Sequence, residues 1–481
     1  MQYHSTRSLA PEVDSAQAVL QGIADDGGLF MPKALPAFDW KACVASEPME
    51  MAARILSSLL PDIPDMIALV EKAYGGKFET DALTPTVKAG PFTVLELFRG
   101  PTSAFKDVAL SMLPQLMTAA KQVKGLQEDI MILTATSGDT GKAALVGFQD
   151  VPGIRICVFY PDGGVSQVQR RQMVSQEGAN VTVCAIRGNF DDAQTGVKQI
   201  FAACADRELP FLLSSANSIN IGRLAPQIMY YFKAYRDLLE RGEIRLGEEV
   251  NFSVPTGNFG DILAGYLARL LGLPVGKLIC ASNANNVLTD FIRTGTYDRR
   301  RPLYKTKSPS MDILVSSNLE RLLYLMSGDT ALVAQLMGQL NTQGYYTVPE
   351  ALLEQIREIF WAGCCDDAAA AEVIGRVWSD HSYLCDTHTA AGWKAAEDYL
   401  NQTGDTRPMV VLSTASPYKF PEAVLSAIGG SCDGDEFDRM EQLEKRTGVQ
   451  IPKNLADLRQ KPQLHNAVID KEQMLSFVLG L

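Results

Sequence analysis

One lysine of the chain stands where an amine nucleophile would be useful. Lys106 lies in the segment 100–107 (GPTSAFKD) and precedes an apolar stretch that predicts a helix. If that helix begins at Asp107, Lys106 lies at its positive end, where a neutral amine is favoured over an ammonium ion. A lysine with a lowered pKa can form a Schiff base with a carbonyl group. On spacing alone, a solvated lysine remains the commoner alternative.

Two glycine-containing turns have the composition of anion-binding loops. Residues 254–261 (VPTGNFGD) and 136–141 (TSGDTG) each lie between a predicted strand and a predicted helix. Glycine lets the backbone approach a ligand closely, and the unpaired N–H groups at a helix start attract a phosphate. For each turn taken alone, the alternative is an ordinary turn, or a helix capped by Ser137, Asp139 or Thr140.

An arginine follows a run of small polar residues. Residues 214–224 (SSANSINIGRL) place Arg223 where it can return to the pocket that these residues line. Its fork of N–H donors matches a phosphate group, although a solvent-facing arginine is the alternative. An amine nucleophile, two anion-binding turns and this arginine together are typical of an enzyme that uses pyridoxal 5′-phosphate (PLP) on a phosphorylated substrate.

The elements that must position these residues follow a repeated order. From residue 92 onwards, short β-branched runs lead into a glycine-containing turn and then into a helical stretch, with strands predicted at 130–134, 154–160, 180–186, 252–254 and 409–412. This order predicts an α/β fold of parallel sheets flanked by helices, with ligands at the carboxyl ends of the strands. Residues 1–90 are expected to be mostly helical, 317–380 to be a run of helices, and 436–465 to be polar helix and loop.

Composition excludes several classes of partner. A chain of 481 residues predicts two or three domains. Its net charge of −12 disfavours nonspecific binding to nucleic acid, and no polybasic cluster suggests anionic lipid. Nine cysteines without a C-x-x-C pair predict buried thiols in a reducing compartment. The four histidines form no metal motif. Without a signal peptide or an apolar run long enough to span a bilayer, we expect a cytoplasmic protein with no membrane partner.

At these segments the sequence resembles threonine synthase, of the longer class with an extra N-terminal domain. The resemblance covers nearly the whole chain and rests on DGGLFMP (26–32), GPTSAFKD (100–107), TATSGDTG (134–141), SANSINIGRL (215–224), PTGNFGD (255–261), SPSMDILVSSNLER (308–321), DTHTA (386–390) and STASP (413–417). It implies the fold type II (tryptophan synthase β-like) architecture of PLP enzymes, with two parallel-sheet α/β domains. It also implies an N-terminal domain at 1–90, a catalytic core at 91–425 with a smaller subdomain at about 120–215, and a C-terminal segment at 426–481 packed on the core.

The resemblance also implies roles for single residues. Lys106 matches the lysine that binds PLP covalently and acts as the catalytic acid–base. Thr414 matches the hydroxyl residue that faces the pyridine nitrogen, and Asp139 stands where shorter family members carry an asparagine near the PLP hydroxyl. The loop that holds the PLP phosphate is matched by Gly257, Asn258, Phe259, Gly260 and Asp261. Positions that bind the substrate's carboxylate or phosphate are matched by Ser137, Thr140, Asn217, Ser218, Arg223 and Asn258.

The implied reaction is elimination of phosphate from Cγ of O-phospho-L-homoserine and addition of water at Cβ, which gives L-threonine in the last step of its biosynthesis. The implied assembly is a monomer or a homodimer. One alternative is a threonine-synthase-like phospho-lyase that releases a 2-oxo acid, and another is a non-catalytic PLP-binding protein, against which the intact Lys106 argues. The sequence departs from the family pattern at Arg99, where relatives carry histidine, and at Thr387, where relatives carry proline.

Overall fold

The computed structural model describes residues 1–136, 138–204, 207 and 209–481, all with their side chains except Asp191. The first 74 residues fold into four helices and a small antiparallel sheet with strand order β2-β1-β3. Their bounds are β1 (Gln2–Ser5), β2 (Val13–Asp14), α1 (Ser15–Gln21), β3 (Phe30–Pro32), α2 (Trp40–Val44), α3 (Pro48–Leu59) and α4 (Met66–Tyr74).

The next part of the chain alternates between strands and helices. A β-hairpin comes first, and strand–helix units follow it as the sequence predicts. The elements are β4 (Thr86–Ala89), β5 (Phe92–Glu96), α5 (Lys106–Lys124), β6 (Asp129–Ala135), α6 (Asp139–Phe148), β7 (Ile154–Pro161), α7 (Gln167–Val174), β8 (Val181–Arg187), α8 (Phe190–Cys204) and β9 (Phe211–Ser214).

The third part is richer in helices. It contains α9 (Ile221–Leu224), α10 (Ile228–Glu240), β10 (Val250–Pro255), α11 (Gly260–Leu270), β11 (Val275–Ser282), α12 (Val287–Thr294), β12 (Thr296–Asp298), α13 (Leu319–Ser327), α14 (Thr330–Gln343), β13 (Tyr345–Thr347), α15 (Glu350–Ile359), β14 (Phe360–Cys364) and α16 (Asp367–His381). The run of helices expected at 317–380 is present, with the short strands β13 and β14 inserted into it.

The last part returns to both sheets. Its elements are α17 (Thr387–Thr403), β15 (Met409–Ser413), α18 (Pro421–Ala427), α19 (Glu436–Thr447), α20 (Lys453–Ala456), β16 (Ala467–Asp470) and α21 (Met474–Leu479). Short 3₁₀ helices lie at Ala225–Gln227, Pro309–Met311, Pro417–Lys419 and Lys471–Gln473.

Two sheets organise the core. The larger has strand order β14-β11-β10-β15-β5-β4, and all its neighbours are parallel except the β4–β5 hairpin. The smaller has order β16-β8-β7-β6-β9 and is parallel throughout. Parallel strands connected by helices bury both faces of a sheet, and β10 and β15 are accordingly buried at every position. The carboxyl ends of the parallel strands therefore meet at one edge of each sheet.

The chain termini are tied to this core. Strand β16 extends the small sheet by pairing with β8, so the C-terminal segment contributes a strand that its sequence pattern did not predict. Residues of the N-terminal helices share one hydrophobic cluster with α5 and α10. In the described part of the chain, no helix combines the length and the apolar character that a membrane crossing requires.

Candidate active site

Loops from the two sheets meet at the predicted site. Asp139 follows β6 of the small sheet, and its Oδ1 lies 2.6 Å from Nζ of Lys419, which follows β15 of the large sheet. Asn318 connects two further loops, because its backbone N–H donates to the carbonyl of Asn258 (3.1 Å) and its amide donates to the carbonyl of Ser218 (3.2 Å). The loops after β6, β9, β10 and β15 thus converge as the strand order predicts.

The segment 100–107 folds around a buried carboxylate. Asp107 accepts hydrogen bonds from the backbone N–H of Thr102 (2.9 Å) and from the Thr102 hydroxyl. Gly100 permits this approach, because a Cβ there would stand 2.5 Å from the Asp107 side chain. The turn closed in this way starts α5 at Lys106, one residue earlier than the predicted start at Asp107.

Lys106 is fixed between three other parts of the chain. The N–H of the preceding residue, Phe105, donates to the carbonyl of Thr414 (2.8 Å), and its carbonyl accepts the hydroxyl of Tyr230 (2.7 Å). The Lys106 amine itself lies 3.5 Å from the hydroxyl of Ser310. Thr414, which is predicted to face the pyridine nitrogen, is therefore hydrogen-bonded through its backbone to the residue that precedes the lysine.

The charge environment of Lys106 favours a neutral amine. The pKa of Lys106 is lowered to about 8, chiefly by burial and also by Arg223 and Lys419, while Asp139 opposes the shift. An amine with this pKa is partly unprotonated at neutral pH, which a nucleophile and general base requires.

Asp139 is held as a carboxylate by a buried cation. Burial by itself would raise the pKa of Asp139, but attraction to Lys419 and Lys106 holds it well below its usual range. The amide of Gln169 donates to the same oxygen (2.9 Å). Lys419 is completely buried and also donates to the carbonyl of Thr102 (3.1 Å). The asparagine-to-aspartate change relative to shorter family members thus comes with a compensating positive charge.

The loop after β10 presents unpaired backbone donors. The N–H groups of Gly257, Asn258, Phe259 and Gly260 donate to no acceptor among the described residues. Phe259 has a φ of 62°, in the left-handed region that is costly for a residue with a Cβ. The hydroxyl of Ser316 fixes the loop by donating to the carbonyl of Gly257 (2.7 Å). Such a concave row of N–H groups at a helix start binds a phosphate.

The side chains of two members of this loop, Phe259 and Asp261, pack against the protein interior. The ring of Phe259 is buried against Phe360, with 5.6 Å between the ring centroids. The carboxyl of Asp261 faces the hydroxyl of Tyr231 (3.2 Å), and burial raises its pKa to about 7. The sequence placed both residues in the phosphate loop, and their side chains here stabilise that loop from behind.

Arg223 has the environment of an anion-binding residue. Its guanidinium is 6 % exposed and donates to the carbonyl of Ala216 (2.5 Å). Burial lowers its pKa to about 10, and no carboxylate of the described residues pairs with it. A buried cation without a counter-ion is costly, unless a ligand supplies the negative charge.

The remaining predicted substrate contacts lie on the same loops. Asn217 and Ser218 are half-buried beside Arg223, and the N–H of Asn217 donates to Ser215 Oγ (3.3 Å). Thr140 lies in the first turn of α6, and Asn258 is exposed in the phosphate loop. Ser137, also predicted here, lies outside the described residues. Assignment of each side chain to the substrate's carboxylate or phosphate stays a prediction.

Comparison with known proteins settles the family. The model of pyridoxal-phosphate dependent enzymes matches residues 79–415, and those of the threonine synthase N terminus and C-terminal region match 2–74 and 389–475. A threonine synthase of Pseudomonas aeruginosa is 41% identical, over 95% of this chain and 97% of that protein. The chain belongs to the threonine synthase family. The solved PLP-bound threonine synthase from Brucella melitensis has a TM-score of 0.87 at 39% identity, covering 100% of this chain and 98% of that one.

These comparisons confirm the predicted fold type and PLP as the cofactor. Among other members of the threonine synthase family, threonine synthase-like 1 of Homo sapiens is 37% identical over 95% of this chain. The chain spans only 62% of the length of that relative.

The residues present fit PLP. The unpaired N–H groups of the loop after β10 suit its phosphate, and a partly neutral Lys106 suits its aldehyde. Gly257 is required by the packing of this loop, because a Cβ there would stand 2.7 Å from the carbonyl oxygen of Ser310. Thr414 is buried and lies near Lys106, because its carbonyl accepts the N–H of Phe105.

The structure brings four residues into the site that the sequence did not single out. Lys419 and Gln169 hold Asp139, Ser310 adjoins Lys106, and Asn318 joins two ligand loops. Ser310 and Asn318 lie in the segment 308–321, and the resemblance of this segment to the family could have indicated that they belong to the site.

The two departures from the family pattern have local explanations. Arg99 donates to Glu96 (2.6 Å) and Glu79 (3.1 Å). These two carboxylates balance its positive charge, so Arg99 adds little positive potential at the entrance of the cleft. The hydroxyl of Thr387 donates to the carbonyl of Lys307 (2.7 Å), a bond that proline could not make.

Proposed function

We propose that this chain is a threonine synthase, which converts O-phospho-L-homoserine and water to L-threonine and phosphate. The observation that carries the proposal is Arg223, a buried guanidinium without a carboxylate partner among the described residues, beside the predicted PLP lysine. An enzyme that binds an unphosphorylated amino acid has no need of a second phosphate-binding group in addition to the PLP loop.

Bound PLP supplies an electron sink that lowers the energy of negative charge on the substrate's Cα. Lys106 removes the proton from Cα, since its amine is partly neutral at pH 7, and after it has released that proton the same amine removes one from Cβ. The Cγ–O bond breaks and the phosphate leaves with the electron pair. A proton is added at Cγ, the oxygen of water adds at Cβ, and Cα is reprotonated, which balances the conversion to threonine.

Arg223 has two tasks in this scheme. It binds the substrate's phosphate, and it stabilises the negative charge that grows on the leaving oxygen as the Cγ–O bond breaks. Because Arg223 is buried, its interaction with the phosphate is weakly screened by water. The half-buried polar side chains of Asn217 and Ser218 lie on the loop that leads into its helix and can orient the other end of the substrate.

The test is incubation of the purified protein with O-phosphohomoserine and measurement of phosphate, threonine and 2-oxobutyrate. We expect equal amounts of phosphate and threonine, with both lost in Lys106→Ala. Lys124→Ala, at the other end of α5, is the matched control and should retain activity. Phosphate formed together with 2-oxobutyrate would identify a phospho-lyase instead, and no phosphate at all would refute the proposed substrate.

We also infer that the protein works in the cytoplasm as a monomer or a homodimer. All nine cysteines are free thiols, which supports a reducing compartment. The division into an N-terminal domain (1–90), a catalytic core (91–425) and a C-terminal segment (426–481) is likewise our proposal. Light scattering at micromolar concentration tests the assembly, and limited proteolysis tests the boundaries.

A further inference from the structure

Two segments that match the family, SPSMDILVSSNLER and DTHTA, have no function in the scheme above, and they meet at Ser310, which adjoins Lys106. We infer that Ser310 is a further catalytic residue that holds the free amine of Lys106, and that His388 and Asp386 position it. This inference rests on the proposed function for its turnover test, but not for its binding test.

Ser310 lies between Lys106 and the loop after β10. It belongs to the 3₁₀ helix Pro309–Met311, and its hydroxyl lies 3.5 Å from Nζ of Lys106. Its carbonyl oxygen packs against Gly257 of the phosphate loop. The residue is thus in contact with the catalytic amine on one side and with the loop that holds the cofactor on the other.

A buried histidine fixes the backbone of Ser310. The N–H of Ser310 donates to Nε2 of His388 (3.2 Å), so this ring nitrogen must carry a lone pair. Nδ1 of the same ring lies 2.6 Å from Asp386 Oδ2, which assigns the ring proton to Nδ1. Only neutral imidazole in this tautomer satisfies both contacts. The ring also packs against Phe420, with 4.9 Å between the ring centroids.

Asp386 is in turn fixed by the start of α17. It is completely buried and accepts the backbone N–H groups of His388 (2.9 Å) and Thr389 (3.0 Å). A carboxylate that caps a helix has little freedom to rotate. The orientation of the histidine ring, and therefore the position of Ser310, follows from this cap.

The other polar groups near Lys106 have partners of their own. Asp139 is occupied by Lys419 and Gln169, and Ser310 provides the hydrogen bond that Nζ of Lys106 makes to the described part of the chain. The free side chain of Lys106 rotates about four carbon–carbon bonds, so its amine needs a partner that fixes its position. Acceptance of one N–H by Ser310 aims the nitrogen lone pair at the substrate.

The first experiment compares Ser310→Ala, Ser310→Thr and Ser308→Ala. Ser308 lies in the same segment, but its hydroxyl bonds Asn283 (3.1 Å) instead of the lysine. We expect Ser310→Ala to lower kcat roughly 10- to 100-fold with KM changed by less than about threefold, because misplacement of a reacting group has effects of this size. Ser310→Thr should restore most of kcat, and Ser308→Ala should match the wild type.

A second readout needs no substrate. PLP is removed from the full-length protein, and the rate at which it recombines is followed by absorbance, since this reaction joins the free Lys106 amine to the aldehyde with release of water. We expect slower recombination in Ser310→Ala and a normal rate in Ser308→Ala. The wild type recombines whether or not it turns over O-phosphohomoserine, so failure of the proposed function and failure of this inference are distinguishable.

The third readout tests His388. If it acts through Ser310, His388→Phe should lower kcat in the wild-type background and have little further effect in Ser310→Ala. Independent, additive losses would overturn the positioning role. If Ser310→Ala has the kcat and the PLP recombination rate of the wild type, the inference as a whole is overturned. The comparison of Ser310→Ala with Ser310→Thr decides this even if the histidine variant does not fold.

Discussion

Two buried arginines, Arg223 in α9 and Arg321 in α13, show the difference between a site and a scaffold. Both are almost fully enclosed, at 6 % and 0 % exposure, and burial lowers the pKa of both, to about 10 for Arg223 and about 9 for Arg321. Arg321 donates to Asn318 Oδ1 (2.6 Å) and to the carbonyls of Ile219 (2.6 Å) and Phe30 (3.2 Å). Arg223 has only the carbonyl of Ala216 in the described structure.

The contrast separates two uses of a buried charge. Neutral oxygen atoms surround Arg321 and replace the water that it lost, so it links the N-terminal domain to the ligand loops. Arg223 keeps several donors without an acceptor among the described residues, and this arrangement is stable only if a ligand is present for much of the time or the rest of the fold compensates the cost. Burial alone therefore does not identify an anion site, and what distinguishes Arg223 from Arg321 is the smaller number of acceptors around it among the described residues.

The largest effect should come from Arg223→Ala. We expect kcat/KM for O-phosphohomoserine to fall roughly 1,000-fold, because a preorganised donor to the leaving group is lost. The free energy of unfolding should change by less than about 1 kcal/mol, since no protein partner is left unsatisfied except one carbonyl. Steady-state kinetics and urea titration measure the two quantities. Loss of stability with retained activity would reverse the roles assigned to the two arginines.

The second prediction concerns Arg321→Met. Its removal leaves the carbonyls of Phe30 and Ile219 buried without donors, so the free energy of unfolding should fall by about 3 kcal/mol. The folded fraction should keep kcat/KM within roughly tenfold of the wild type. Urea titration in parallel with Arg223→Ala provides the comparison, and a stable but inactive Arg321 variant would contradict it.

The sequence predicted the fold and many of the site segments because those signals are local. A glycine turn between a β-branched run and a helix is visible within about ten residues, as at Gly257, and so is a lysine just before an apolar helix. The chemistry of such a turn requires only its own backbone. Its side chains are harder to predict, because the direction of Asp261 is set by tertiary packing against Tyr231.

The contacts that the sequence missed are distant in the chain. Ser310 is 204 positions from Lys106, and Lys419 is 317 positions from its acceptor Thr102. No periodicity connects such pairs, since they meet only when the two sheets pack together. Strand β16 was missed for the same reason, because four residues at a sheet edge become a strand only through their pairing with β8.

Two buried carboxylates, Asp139 and Asp261, also differ in whether they have a charged partner, and the pH dependence of stability tests this difference. Asp139 has Lys419 as its partner, whereas burial without a cation raises the pKa of Asp261 to about 7. A raised folded-state pKa stabilises the protein fully below the unfolded value near pH 4, and this contribution is lost as pH rises through 7. As the pH is raised from 5 to 8, Asp261→Asn should therefore gain stability relative to the wild type by about 2.5 kcal/mol.

The contrasting variant in this test is Asp139→Asn. It removes the partner of a completely buried lysine, so it should destabilise the protein at pH 7 and show no such gain. Urea titrations of the three proteins at pH 5, 6, 7 and 8 give the differences directly. A pH-independent difference for Asp261→Asn would show that Asp261 is ionised normally in the folded protein.

The smallest effect is the response of the arginines to inorganic phosphate. With PLP bound, its own phosphate loop is filled, so added phosphate should stabilise the protein through Arg223. At ten times its Kd, the expected gain is about 1.4 kcal/mol, or a rise of roughly 1–2 °C in the unfolding midpoint. Arg321→Met should keep this gain and Arg223→Ala should lose it, because only Arg223 has donors left for a ligand. An equal rise in both variants would place the phosphate elsewhere and remove the physical basis for distinguishing the two arginines.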